Sequence, residues 1–187
     1  MATEPKADLA LGNVLRRLRE SRQLSVRTLA ARAGFSPSFI SQVENGQTSP
    51  SLASLERIAT SLGVGLRDLF AETEGAGAGV VGSVGRPAMT GEWSRARVES
   101  LTTPGEGPRL EAIMVQVRSG GASAKRPHPA PAPRFAMVWE GEVVLRLGDA
   151  EHRLRRGDAV TIPAGALHRW KNREDRDARI VVVTFRA

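Results

Sequence analysis

The spacing of apolar residues changes once, near residue 71, and that change limits the fold more than any other feature of the chain. Up to residue 70, apolar side chains recur at helical intervals: Leu11, Leu15 and Leu18; Leu29, Ala30 and Ala33; Ile40 and Val43; Leu55, Ile58, Ala59 and Leu62. Start and stop signals stand between these groups. Ser25 caps a helix that stops at Gly34, and Ser36-Pro37 reads as an N-cap with proline at the first helical position, for a helix ending at Asn45-Gly46. Ser49-Pro50 repeats that signature for a helix ending at Gly63, and a last turn covers 66–70. The spacing predicts four short helices and a terminal turn, joined by very short connections.

Residues 71–87, AETEGAGAGVVGSVGRP, hold five glycines and one apolar pair and read as a linker. Beyond them the period falls towards two. The segments 109–117, 134–140, 142–147, 158–162 and 179–186 are short and rich in Val, Ile and Phe. They are separated by Gly141, Gly148-Asp149, Gly157-Asp158 and Pro163-Ala164-Gly165. Short strands with such turns predict a sandwich or barrel. The expected chain is therefore α+β and multidomain: an all-α unit over 1–70, a linker over 71–87 and an all-β unit over 88–187.

Composition narrows the function classes. The chain has no cysteine, which excludes a disulfide scaffold, thiolate-bound zinc and a thiol nucleophile. No apolar run reaches the length of about 18 residues that a membrane span needs, and the N-terminal MATEPKADLA lacks the apolar stretch of a signal peptide. A cytoplasmic protein with no membrane partner is the expectation. The net charge is +7, and 24 of the 27 basic residues are arginine, which points towards an anionic partner such as nucleic acid. Residues 1–70 carry only +3 of it, nine basic against six acidic residues, so tight DNA binding would need a dimer.

The run LRRLRESRQLSVRTLAARAGFSPSFISQVENGQTSPSLASLERIATSLGVGLRDLF, residues 15–70, resembles the Cro/repressor-type (XRE family) helix-turn-helix of bacterial and phage regulators. The resemblance makes the helix from Ser36 to Asn45 the recognition helix, with Pro37, Ser38, Ser41 and Gln42 facing base edges in the major groove. Of these, Gln42 has an amide that can pair with adenine through two hydrogen bonds. Ser25, Ser36 and Asn45 would lie against phosphates, at helix ends that favour anions. The glutamine that this family often places after the first cap is Val26 here, and Arg27 and Arg32 supply charge instead. The resemblance also implies a structural ion pair between Glu44 and Arg19. Ser25 and Ser36 serve as caps with or without DNA, and Phe39 is expected in the core.

A second resemblance covers the β half. Gly157, Pro163, Gly165, His168 and Asn172 stand at the spacing of the second conserved motif of the cupin (double-stranded β-helix) barrels. Metal-binding cupins take two histidines and a glutamate from their first motif. Counting back from Glu140-Gly141 places His128 and Ala130 at the histidine positions and Arg134 at the glutamate position. Two imidazoles beside a permanent cation make a poor site for a divalent metal, so neither metal nor other cofactor is expected. Arg134 and Ala136 share the strand face that the family turns inwards. A buried arginine needs an anion, which would be Glu140, Glu142 or the anionic group of a small effector. His128, Arg134, Ala136, His168 and Trp170 form the expected effector pocket. Trp170 would be an aromatic wall or plain barrel core, His152 a solvated strand residue, and the run RPHPAPAPR an extended loop at the barrel mouth, where His128 could lie exposed.

Together these features predict a DNA-binding transcriptional regulator, not an enzyme, that binds a palindromic operator as a homodimer and senses a small, anionic effector through its cupin domain. Two alternatives stand beside it. One is a metal-dependent cupin oxygenase or epoxidase with a helix-turn-helix-like domain, and the other is a cupin used only for dimerisation.

Overall fold

The computed structural model describes residues 5–70, 80–84, 86, 88–91, 95–102 and 110–185. The segment assigned above as a linker lies mostly outside the described residues, which omit 71–79, 85 and 87.

The helical half comprises α1 (Pro5–Ser21), α2 (Val26–Ala33), α3 (Pro37–Glu44) and α4 (Leu52–Ser61), followed by a 3₁₀ turn at Leu66–Phe70. The apolar positions at three- and four-residue spacing converge on one core. Leu15, Leu29, Ile40, Ile58 and Leu66 are its most deeply buried large side chains. The caps of α2 and α3 fall where the sequence puts them: Ser25 Oγ accepts the Thr28 N–H at 3.0 Å and Ser36 Oγ accepts the Phe39 N–H at 3.2 Å. The cap of α4 does not. Ser51, not Ser49, holds that position, its Oγ accepting the Ser54 N–H at 3.0 Å, and Pro50 lies before the helix rather than at its first position. Two Ser-containing candidates two residues apart differ only in which has a free N–H three residues on and a helical successor, and the burial of Leu52, Leu55 and Ile58 selects the register.

Among the described residues the β half holds ten strands, all of whose pairings are antiparallel. They are β1 (Ala88–Gly91), β2 (Ala96–Ser100), β3 (Leu110–Val117), β4 (His128–Pro129), β5 (Arg134–Glu140), β6 (Glu142–Leu147), β7 (Ala150–Arg155), β8 (Ala159–Ile162), β9 (Leu167–Lys171) and β10 (Ala178–Phe185). One sheet has the order β1-β2-β3-β10-β5-β8 and the other β4-β9-β6-β7. The two sheets pack their inner faces together without closing into one continuous barrel. Val115, Val117, Ala136, Ile180 and Val182 line one side, Val143, Leu145 and Trp170 the other.

β3, β5, β6, β8 and β10 coincide with the Val- and Ile-rich segments. The segments leave out β1, β2, β4, β7 and β9, of which β7 is anticipated only through His152 as a strand residue. The first two alternate weakly between apolar and polar residues, and β4 is two residues in a proline-rich run where missing N–H groups leave room for one short pairing. That run is extended, as expected, but it is not simply a loop: His128 pairs with His168 and Pro129 with Leu167. Asn172 is a buried knot, its amide donating to the Val117 and Arg176 carbonyls at 2.9 and 2.7 Å and its oxygen accepting the Glu174 N–H at 2.9 Å.

Replacing Ser51 by Ala removes the N-cap of α4 and should cost about 1 kcal/mol of stability, read as a lower denaturation midpoint at unchanged slope.

Candidate functional site

The turn between α2 and α3 is built from three sources. Gly34 adopts φ of +67°, the left-handed conformation that ends a helix, and the Phe35 N–H then reaches the Ala30 carbonyl at 2.9 Å. From α4, Arg57 Nη2 donates to the carbonyls of Ala33 and Gly34 at 2.6 and 3.1 Å. The same guanidinium lies 4.3 Å from the centre of the Phe35 ring, which sits 4.7 Å from the half-buried Phe39 ring. Both rings pack against the helical core, as expected of Phe39.

With Ile40 and Val43 buried, α3 turns Pro37, Ser38, Ser41 and Gln42 outwards; Pro37, Ser38 and Gln42 are exposed and Ser41 is half-buried. Ser25, Arg27, Ser36 and Asn45 are exposed too. Ser38 Oγ lies 3.0 Å from Ser36 Oγ, and Asn45 donates to Ser41 Oγ at 3.4 Å while accepting from Arg16 Nη2 at 2.6 Å. Behind this face, Arg19 grips Glu44 through two hydrogen bonds of 2.7 and 3.0 Å, both groups buried. This is the ion pair implied by the sequence, and it fixes the end of α3 against α1. The approach is so close that a Cβ on Gly12 would lie 2.5 Å from the Glu44 carbonyl oxygen. Sequence reading missed Gly12, Arg16 and Arg57. For Gly12 a signal existed, since glycine inside a helix costs stability unless packing needs it.

The second cluster lies where the two halves meet. His128 on β4 and His168 on β9 are register partners whose ring centres lie 4.5 Å apart. Arg134 on β5 joins them, its Nη1 3.5 Å from His168 Nε2. Neither anion expected from the barrel pairs with Arg134. Glu140 pairs with Arg179, and Glu142 with Arg153 and Arg155. Instead Arg134 Nη1 donates at 2.8 Å to Oε1 of Glu56, which reaches in from α4 of the helical half. The other carboxylate oxygen stands 3.3 Å from His128 Nε2. Glu56, His128, Arg134 and His168 are all buried, so His128 is not an exposed loop residue. Ala136 and Trp170 are also buried but belong to the hydrophobic core rather than to this polar cluster, and His152 is exposed on β7.

A helix-turn-helix domain model matches residues 10–72 and a cupin domain model matches residues 113–184. The HTH-type transcriptional regulator SutR of Escherichia coli K12 is 27% identical over 164 residues, covering 87% of this chain and 86% of that protein. The chain belongs to the XRE-type helix-turn-helix transcriptional regulators that carry a cupin domain. The solved structure of an HTH_3 family transcriptional regulator from Vibrio cholerae superposes on the regulator with a TM-score of 0.78 at 20% identity, over 99% of this chain and all of that one. Hydroxypropylphosphonic acid epoxidase from S. wedmorenis shares the fold alone, with a TM-score of 0.50 at 23% identity over 95% of this chain and 98% of that one.

The metal that many cupins hold does not fit the residues present in the regulator. Arg134 puts a fixed positive charge beside His168, and Ala130 offers no donor. Among the described residues no group of three His, Cys, Asp or Glu side chains is arranged to hold a metal ion. Nor is any helix among them long and apolar enough to cross a membrane.

Two members of the cluster, Glu56 and His168, are each held in one charge state near neutral pH. Burial, with the nearby His128 and the charge of Arg134, lowers His168 to about 4. Its Nδ1 lies 3.3 Å from the Ala166 carbonyl, so the neutral ring keeps its proton there and presents a lone pair to Arg134. Burial opposes the charge on Glu56, but the guanidinium of Arg134 and the adjacent His128 outweigh it and hold the carboxyl at about 2. In the unfolded chain His168 returns to about 6.5. Between these two values unfolding takes up a proton, so stability should fall as pH drops from about 6.5 to about 4. The slope contributed by this one group reaches about 1.4 kcal/mol per pH unit. Denaturant unfolding at several pH values should show the slope, and His168→Gln should flatten it in that window. Glu56 adds a loss of the same sign lower down, between its ordinary value and about 2.

Proposed function

We propose that the regulator binds a palindromic operator as a homodimer, through a DNA-binding unit spanning 1–70, and takes a small anionic effector in the cupin unit spanning 88–187, with 71–87 as the link between them. The observation that carries the DNA reading is the outward face of α3, with Gln42 exposed and its amide engaged by no hydrogen bond among the described residues. Pro37, Ser38, Ser41 and Gln42 meet base edges, and Ser25, Arg27, Ser36 and Asn45 position the phosphates. Arg134, His128 and His168 supply the polar part of the effector site, backed by Ala136 and Trp170. No metal and no catalytic group take part, which sets this reading against that of a cupin oxygenase.

The dimer reading is supported by the outer face of the larger sheet. On β5 Phe135, Met137 and Trp139 alternate outwards, and across β10 they adjoin Val181 and Val183. Phe185 continues the patch to its register partner Leu110 on β3. Phe135, Trp139, Phe185 and Leu110 are 46%, 55%, 61% and 41% exposed, a contiguous apolar surface of the kind that marks an interface. A second copy is the occupant that DNA binding itself requires, because a helix-turn-helix unit with a charge of +3 reads half a site.

Selection of bound fragments from genomic DNA should return one palindromic motif with half-sites about one helical turn apart. On that operator Gln42→Ala should cost about 1–3 kcal/mol and relax preference at one base pair; equal loss on random DNA would assign Gln42 to phosphate. Light scattering should show a dimer for the native chain and a monomer for the Phe135→Lys, Trp139→Lys double variant. A dimer unaffected by both charges would place the interface elsewhere.

A further inference from the structure

We propose that Glu56 is a tethered occupant of the cupin ligand site, and that a carboxylate ligand acts by displacing it from Arg134, which releases the DNA-binding unit from the cupin. The proposal rests on the anionic-effector reading above and adds what the ligand competes with and what its arrival moves.

Glu56 fits the site incompletely. A guanidinium meets a carboxylate best through two parallel hydrogen bonds. Here Arg134 uses Nη1 alone on Oε1, while its Nε is buried without a partner. Glu56 Oε2 and both ring nitrogens of His128 are likewise buried with no aligned hydrogen bond. Four of the six such side-chain atoms found among the described residues thus belong to this one cluster. Arg134 Nε and His128 Nδ1 leave a desolvation cost unrecovered, and the unaligned 3.3 Å contact of His128 Nε2 with Glu56 Oε2 recovers it only in part. A free carboxylate has no helix attached to it and can turn to span Nε and Nη of Arg134 while accepting from His128. The same site therefore holds a free carboxylate with more hydrogen bonds than the one it holds now.

An entry path reaches the cluster. A cleft of about 340 Å³ opens between the two halves, lined by Arg32 and Gly34 on one side, Glu56 and Thr60 on α4, and His128 and Pro131 on the cupin side. Exchange of one carboxylate for another leaves Arg134 paired throughout. Simple separation of the halves would instead strip a buried guanidinium of its partner, which costs far more.

The link to DNA runs through the next residue. Glu56 holds the cupin, and Arg57 holds the carbonyls of Ala33 and Gly34 in the helix-turn-helix turn. Release of Glu56 removes the ionic tie between α4 and the cupin, leaving only the packing of α1 on β1 and of the 3₁₀ turn on β3 to set the spacing of two such units in a dimer.

Acetate is the minimal probe, with chloride at equal ionic strength as control. Calorimetric titration should show weak acetate binding to the native chain. Binding should tighten about tenfold or more in Glu56→Gln, because the competitor is gone, and vanish in Arg134→Gln. Because the chain has no cysteine, Asn13→Cys with Asp149→Cys allows one spin label on each half. Acetate should lengthen or broaden the measured distance, and Glu56→Gln should do so without acetate. Glu56→Asp, which keeps the charge on a shorter arm, guards against a folding defect and should fall between the native chain and Glu56→Gln. If Glu56→Gln binds acetate no tighter than the native chain while Arg134→Gln abolishes binding, the anion site stands and the displacement proposal fails. If neither the native chain nor folded Glu56→Gln binds acetate, the anionic-effector reading fails and takes the proposal with it.

Discussion

Arg134 carries a charge that it cannot lose, on an inward-facing position of a β-strand with 6% of its surface exposed. Such a group has to be given an anion, and the barrel does not provide one: the nearest acidic residues in sequence, Glu140 and Glu142, are committed to arginines on the sheet surface. The helical half provides it. Glu56 is buried on α4, and its carboxylate enters the cupin where histidines 128 and 168 face each other. That pairing joins the two halves beside the cleft at α4, together with the contacts of α1 with β1 and of the 3₁₀ turn with β3.

A second buried pair does comparable work within the helical half. Arg19 and Glu44 bind through two hydrogen bonds, anchoring α3 to α1 from behind. The two pairs differ in completeness. Arg19 also donates to the Leu24 carbonyl and leaves Glu44 with both oxygens engaged, whereas Arg134 and Glu56 meet through one nitrogen and one oxygen. A satisfied pair rigidifies what it joins. A half-satisfied one is a contact that a better partner can replace, and it is the half-satisfied pair that joins the helical half to the cupin half.

The helical half was largely legible in its sequence because its signals are local. A serine oxygen capping an N–H three residues on, or a glycine that can turn left-handed, operates within a few residues, and Ser25, Gly34 and Ser36 act where they were expected. Ser51 shows the limit of such signals: Ser49-Pro50 was the better local match, and burial of α4 overrode it. The strands of the cupin core were visible as Val- and Ile-rich runs. β1, β2 and β4 were not, since short polar strands owe their existence to the strand they pair with, and no local residue type announces the partner.

What the sequence alone determined was the order of units, the face of α3 turned to solvent and the presence of an arginine where a metal-binding cupin has a carboxylate. These depend on period, cap chemistry and side-chain identity, all readable in one stretch of chain. Only the tertiary structure decided what that arginine is for. Its partner lies 78 residues away in a different kind of secondary structure. A salt bridge between positions so distant leaves no trace in spacing, because it is formed by the packing of the helical half against the cupin half.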